Sequence, residues 1–158
     1  MFLQMRRSTF RVAAGAFLAI ALVGACLWYV TAPPKGEDGY RERAAATAET
    51  LVSQVESARL WAVTEAEGKA LTSTTLVGLE EAEEDAASAA SQFEAYEPPD
   101  GVDGLRERLV ALAGEASEAL SSMRIAAQRE RWDEVLPLSR PLPGLSRELS
   151  AYEERAEP

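Results

Sequence analysis

Four stretches of the chain after residue 31 place apolar side chains three and four residues apart, which is the spacing of one face of an α-helix. The stretches run from Ala44 to Ala62, from Leu79 to Tyr96, from Leu105 to Ala126 and from Val135 to Tyr152. No stretch in this part of the chain shows the two-residue alternation that is typical of a half-buried strand. The pattern therefore predicts an all-α fold.

The four stripes predict helices over residues 38–70, 74–96, 103–129 and 132–156. The links between these helices are short, so neighbouring helices are expected to run antiparallel, and a stripe period near 3.5 residues is typical of a bundle. We therefore expect an antiparallel bundle of about four helices that occupies residues 38–158.

The last of these helices contains Pro137, Pro141 and Pro143. A proline inside a helix costs about 3 kcal/mol because it has no N–H to donate and its ring clashes with the preceding turn. We expect a break near residues 140–142, with Pro143 at the first position of the final piece.

The link between the first two helices leaves two alternatives. The apolar stripe weakens near Gly68 and is followed by "LTSTT", where Ser73 or Thr74 could cap a new helix. No proline forbids one long helix through this region instead. We favour the turn. For the other helices, Asp38 and Asp103 are the predicted N-caps.

A stretch of nineteen residues without charge, "VAAGAFLAIALVGACLWYV", fills residues 12–30. As a helix it would be about 28 Å long, close to the roughly 30 Å of hydrocarbon in a bilayer. Three arginines precede it and no acidic residue does, which predicts a cytoplasmic tail over residues 1–11. Residues 31–37 are then a linker, and the bundle lies outside the cytoplasm.

The same stretch contains "LVGAC", Leu22 to Cys26, which resembles the cleavage site of bacterial lipoproteins. Cys26 is accordingly a candidate lipidation site. Lipoproteins usually continue into a polar tether, however, whereas "LWYV" stays apolar here. We favour an uncleaved signal anchor over a lipoprotein, and both over a freely secreted product. The first two alternatives tether the same body to the outer face of the membrane.

Charge and composition restrict the chemistry of the body. Residues 31–158 hold 13 of the 16 basic residues and all 26 acidic ones, a net charge of −13. Such a body repels phosphate backbones, so no nucleic-acid partner is expected. The chain has no histidine, and its one cysteine lies in the apolar stretch. We found no nucleophile motif and no phosphate-binding glycine loop, so we expect no enzyme activity and no cofactor.

An acidic run, "EEAEED", is the densest charged feature of the chain. Like charges four residues apart destabilise a helix by a few tenths of a kcal/mol per pair, and a bound divalent cation would relieve that repulsion. A straight helix face supplies too few oxygens to surround calcium, so a solvated face is the favoured interpretation. The weak cation candidates are Glu80, Glu81, Glu84 and Asp85.

Two further features are candidates for binding. The small-residue run "AASAAS", residues 86–91, predicts close helix packing or, alternatively, a shallow groove in the bundle. The large tryptophans are expected to plug the bundle ends rather than to bind a ligand. The candidate interaction surface consists of aromatic residues: Trp61, Phe93, Tyr96 and Trp132.

Layout and composition together resemble small membrane-anchored or lipoprotein products of GC-rich actinobacteria. The chain has two lysines against fourteen arginines, no asparagine and abundant alanine, which is typical of such genomes. The resemblance rests on no diagnostic motif and transfers no activity. We expect a non-catalytic module that binds another envelope protein. The alternatives are a ligand-sensing bundle, which would need a partner subunit because its cytoplasmic tail is so short, and, last, cation buffering.

Overall fold

The structure is a computed structural model that describes residues 36–157, and this part of the chain is all-helical. The helices are α1 (Glu37–Ala66), α2 (Thr72–Glu94), α3 (Asp103–Gln128), α4 (Trp132–Leu138) and α5 (Leu142–Ala156). None of the described residues is in a strand. The prediction of an all-α fold is thereby confirmed.

The predicted basic tail, apolar span and candidate lipidation site at Cys26 lie outside the described residues. Within residues 36–157, none of the helices is both long enough and apolar enough to cross a membrane.

The helices form an up-and-down bundle in which α4 and α5 together occupy the fourth position. Tyr40 near the start of α1 packs on Phe93 near the end of α2, with ring centroids 5.3 Å apart. At the opposite end of the bundle, Gln128 of α3 donates a hydrogen bond to Glu80 of α2 at 3.0 Å. We call the end that contains Tyr40 the entry end and the other the tip end. Successive long helices therefore run antiparallel.

Helix α1 lies at the centre of the packing because it contacts each of the other four helices. Its buried face includes all six residues of the predicted stripe, which have no exposed surface. Four of them are alanines, and a small side chain lets neighbouring helix backbones approach closely. The stripe residues are Ala44, Ala48, Leu51, Val55, Ala58 and Ala62.

Larger side chains on the other helices fill the space around this alanine face. Leu109, Leu112 and Met123 of α3 are fully buried, as the third stripe predicts. Leu142 and Leu149 of α5 are buried in the same core. The pattern is less accurate for five stripe residues, which are only partly buried or exposed: Ala89, Tyr96, Leu105, Ala119 and Leu138.

The turn between α1 and α2 follows from Gly68. Its φ of +68° is a left-handed conformation that a glycine adopts at little cost. The N–H of Gly68 bonds to the carbonyl of Glu65 at 2.8 Å, and the N–H of Lys69 bonds to that of Thr64 at 2.9 Å. This pair of bonds is the Schellman motif, which closes the C-terminus of a helix. The structure thus has two separate helices here, and α1 ends four residues before the predicted residue 70.

Helix α3 ends in the same motif without a glycine. The N–H of Arg131 bonds to the carbonyl of Ala126 at 2.9 Å, and that of Glu130 bonds to Ala127 at 3.0 Å. Glu130 therefore takes the left-handed position, with a φ of +57°. A residue with a Cβ adopts that conformation at a cost of roughly 1–2 kcal/mol, so the α3–α4 turn is held under local strain.

Prolines divide the last predicted helix into α4 and α5, with residues 139–141 between them. The break lies one residue earlier than predicted. Pro141 is the N-cap of α5, so Pro143 takes the second helical position rather than the first. The first and the second helical positions both suit proline, because the N–H groups of the first turn of a helix have no partner within the helix.

The predicted N-caps were wrong. Asp38 and Asp103 lie inside the first turns of α1 and α3, whose N-caps are Gly36 and Val102. Helix α2 begins at Thr72 with Leu71 as its N-cap, so neither Ser73 nor Thr74 has that role. An acidic side chain in the first turn still interacts favourably with the helix dipole.

Trp61 fixes how α1 and α2 sit against each other. It is partly buried, and its indole lies directly over Gly78 of α2. A Cβ built on Gly78 would collide with the indole nitrogen, so only glycine permits this approach. Gly114 of α3 is a contrasting case, because a Cβ there meets no atom within 4 Å.

We expect Gly78→Ala to destabilise the protein by about 1–3 kcal/mol, because the indole or the helix must shift to admit the methyl group. Gly114→Ala is the matched control and should stabilise by about 0.5–1 kcal/mol through its better helix propensity. Urea unfolding of the full chain, followed by far-ultraviolet circular dichroism, measures both changes. Equal shifts for the two variants would contradict the tight contact between Trp61 and Gly78.

Candidate functional site

A groove of about 390 Å³ lies between α1 and α2. Its floor on α2 includes Ser88 and Ala89 from the "AASAAS" run, and Phe93 forms part of its wall. Gln54 of α1 donates a hydrogen bond across it to the Asp85 carboxylate at 3.3 Å. Small side chains thus leave a groove between the two helices, and most of the residues that line it are of polar types.

The acidic run of α2 is joined to two neighbouring helices. Glu83 forms a two-point ion pair with Arg124 of α3, in which Nη2 lies 3.3 Å from Oε1. The hydrogen bond that the Arg124 guanidinium donates to Glu83 raises the pKa of Arg124 above its usual value. Glu80 accepts the bond from Gln128 described above. The run therefore helps to hold α2 against α3, a role that the sequence analysis missed.

Glu81 and Glu84 form no hydrogen bond or ion pair within residues 36–157. Both side chains are exposed and lie one turn apart on α2. Among the described residues, no group of three or more acidic side chains, cysteines or histidines is arranged to hold a metal ion.

The four aromatic candidates lie at two ends of the bundle. Phe93 is 2% exposed and belongs to the core, while Tyr96 follows α2 at the entry end. The Arg43 guanidinium lies over the Tyr96 ring, with Cζ 3.6 Å from the centroid, a cation–π arrangement. Trp61 and Trp132 lie toward the tip end, and both are partly buried against the core. The four side chains do not form one continuous surface.

The most exposed large apolar side chains of the described residues lie around the α1–α2 turn. Leu71, in the turn itself, is 74% exposed, and Leu60 of α1 and Val77 of α2 are 63% and 50% exposed. Since Trp61 lies over Gly78, the residues next to them in sequence, Leu60 and Val77, are at the same level of the bundle. We call Leu60, Leu71 and Val77 the hairpin tip.

The hairpin tip was not among the predicted sites. Leu60 and Val77 lie outside the apolar stripes, because each is on the solvent side of its helix. A sequence signal did exist at Val77, which interrupts an otherwise polar helix face. This signal does not distinguish a binding surface from an ordinary surface, because single exposed apolar residues are common on proteins.

Two further hollows, of about 480 and 440 Å³, lie along α5. The first is lined by Leu138, Leu142 and Leu145 with three glutamates, and the second by Arg108, Arg147 and Arg155 with Glu148. The Glu148 carboxylate already pairs with Arg108. The first hollow also contains Ser122, whose hydroxyl forms no hydrogen bond with a carboxylate within residues 36–157.

Two buried tyrosines lie at the entry end. The Tyr152 hydroxyl donates a hydrogen bond to the Leu105 carbonyl at 3.0 Å. The Tyr40 hydroxyl is buried and has no hydrogen-bond partner within residues 36–157. Burial raises the pKa of both tyrosine hydroxyls above the usual value.

Comparison of the chain with protein-family models, with curated proteins and with solved structures finds no match.

We expect Tyr152→Phe to lower the free energy of unfolding by about 1 kcal/mol, because it removes a satisfied hydrogen bond. Tyr40→Phe should be neutral or should stabilise by up to about 1 kcal/mol, because it removes a buried hydroxyl that has no partner. The two variants delete the same atom from the same residue type and so control for each other. Thermal unfolding of both variants measures the two effects. A larger loss of stability for Tyr40→Phe than for Tyr152→Phe would contradict this prediction.

Proposed function

We propose that this protein is a membrane-anchored, extracytoplasmic, non-catalytic module that binds another protein of the cell envelope. The anchor is residues 12–30, or a lipid on Cys26 in the alternative processing. The helical body is the binding part, and the hairpin tip is its contact surface.

The exposed hairpin tip is the observation that carries this proposal. Three large apolar side chains remain in water there although the bundle has a well-filled core, with Leu109, Leu112 and Leu149 fully buried. Exposing apolar surface costs roughly 25 cal/mol per Å², and a grouped patch of it is typical of protein interaction sites.

The position of the tip supports the same proposal. Helix α1 begins at Glu37, the last residue of the predicted linker, and has 30 residues. At 1.5 Å per residue Leu60, with Val77 at its level, lies about 35 Å from Glu37 along the helix axis, and the turn that contains Leu71 begins about 44 Å from Glu37. A surface at the end of the bundle opposite the chain's entry is well placed to meet a partner.

A ligand-sensing bundle is the second candidate, and the groove between α1 and α2 favours it. A volume of about 390 Å³ suits a small molecule, and Arg43, Thr47 and Gln92 line it with polar groups. It ranks second because the hydrogen bond between Gln54 and Asp85 already crosses the groove, so a ligand has to displace it.

The anchored topology predicts that a periplasm-active reporter fused after Pro158 is active and that a cytoplasm-active one is silent. Intact mass of the membrane-extracted protein identifies the anchor. A full-length mass indicates the signal anchor, whereas loss of residues 1–25 with an added lipid mass indicates a lipoprotein at Cys26. A reporter active in the cytoplasm, or a soluble product without lipid, would refute the anchored proposal.

The binding role predicts a contact at the hairpin tip in native membranes. A photoreactive residue placed at Leu60 or Leu71 of the full chain should give a discrete protein adduct on irradiation. The same residue at Ala111, an exposed position of α3, is the matched control and should give none. Adducts at neither tip position, or equal adducts at all three positions, would contradict an interaction through the tip.

A further inference from the structure

We propose that the hairpin tip and the neighbouring acidic face of α2 bind a basic amphipathic helix of the partner protein. This inference rests on the proposed function, and it adds the chemical nature of the bound segment. Its apolar side chains would cover the tip, and its lysines or arginines would lie along α2.

The spacing on α2 fits an amphipathic helix. Val77, Glu81 and Glu84 follow one another at intervals of four and three residues, so all three lie on one face. They cover about 10 Å of helix, close to the reach of two turns of a second helix. A helix laid along this face meets an apolar contact first and two carboxylates after it, so a complementary helix has an apolar side chain followed by lysine or arginine.

The charges of this face are free to act on a partner. Glu83, which points toward α3, is neutralised by Arg124, and Glu80 accepts a bond from Gln128. Glu81 and Glu84 form no ion pair or hydrogen bond within residues 36–157, and both are exposed. Complementary charges at the rim of an apolar contact steer a partner and select against the wrong one.

The same charges argue against two other occupants. A second copy of the chain would bring a like acidic face to this one, and its body carries a net charge of −13. An anionic membrane surface would be repelled for the same reason. A basic helix is the occupant that satisfies both the apolar tip and the two glutamates.

The test is photo-crosslinking from Val77 in the full chain, in native membranes, with and without charge reversal. We expect Glu81→Lys/Glu84→Lys to lower the yield of the protein adduct about ten-fold. Raising sodium chloride from about 0.05 to about 0.5 M should lower the yield of the unreversed chain as well, because exposed charges are screened. Mass spectrometry of the adduct should map it to a segment with lysine or arginine at helical spacing.

Glu115→Lys/Glu118→Lys is the matched control. These two glutamates have the same spacing, are exposed on α3 and form no ion pair within the described chain. The control should leave the adduct yield unchanged, and circular dichroism should show that both double variants keep the helical content of the parent chain.

Each other outcome overturns the inference. An adduct of twice the chain's mass identifies a second copy, and a lipid adduct identifies a membrane surface. If the yield of the protein adduct does not change with charge reversal or salt, or if the adduct maps to an acidic segment, the partner does not bind through a basic helix. The proposed function is not contradicted by that result. If none of the positions Val77, Leu60 and Leu71 gives a protein adduct, both the basic-helix inference and the proposed function are wrong.

Discussion

The close approach of helices along the alanine face of α1 is the constraint on which the bundle depends. Helix α1 contacts every other helix, and its Ala44, Ala48, Ala58 and Ala62 have no exposed surface. An alanine loses little side-chain entropy on burial and leaves room for a neighbouring backbone. The larger leucines of α3 and α5 then fill the remaining space. A larger side chain on α1 would push apart several helices at once, because protein interiors have little free volume.

Local periodicity is sufficient to predict most of this fold. The α1 stripe is fully buried as predicted, and prolines and Gly68 fix where helices stop. The wrong predictions concern the ends of helices, where a residue can serve as the cap or lie in the adjoining turn. At Asp103 a carboxylate suits both the N-cap and the first turn, so the sequence alone does not separate the two. Lys69 was placed inside the first helix, whose predicted end was residue 70, yet the Schellman turn moves it off the helix and it pairs with Glu67 at 2.8 Å.

The candidate surface was far less predictable, because it depends on how helices pair. Large aromatic residues were the natural candidates, but Phe93 is needed in the core, and Trp61 serves to pack α1 on α2. Leu60 and Val77 are seventeen positions apart and have no common pattern. They come to one level only because the Trp61 indole rests on Gly78. The Glu83–Arg124 ion pair was missed for the same reason, since its members are 41 residues apart.

The packing that hides Trp61 also makes the hairpin tip suitable for recognition. The indole over Gly78 and the Schellman turn at Gly68 fix both sides of the tip, and the contacts of Glu80 and Glu83 with α3 hold the start of α2 in place. A preformed surface binds at a lower entropic cost than one that must be ordered on binding. The α1–α2 hairpin therefore joins the two parts of the proposal: its inner face builds the core, and its outer face presents apolar groups and unneutralised glutamates on a rigid support.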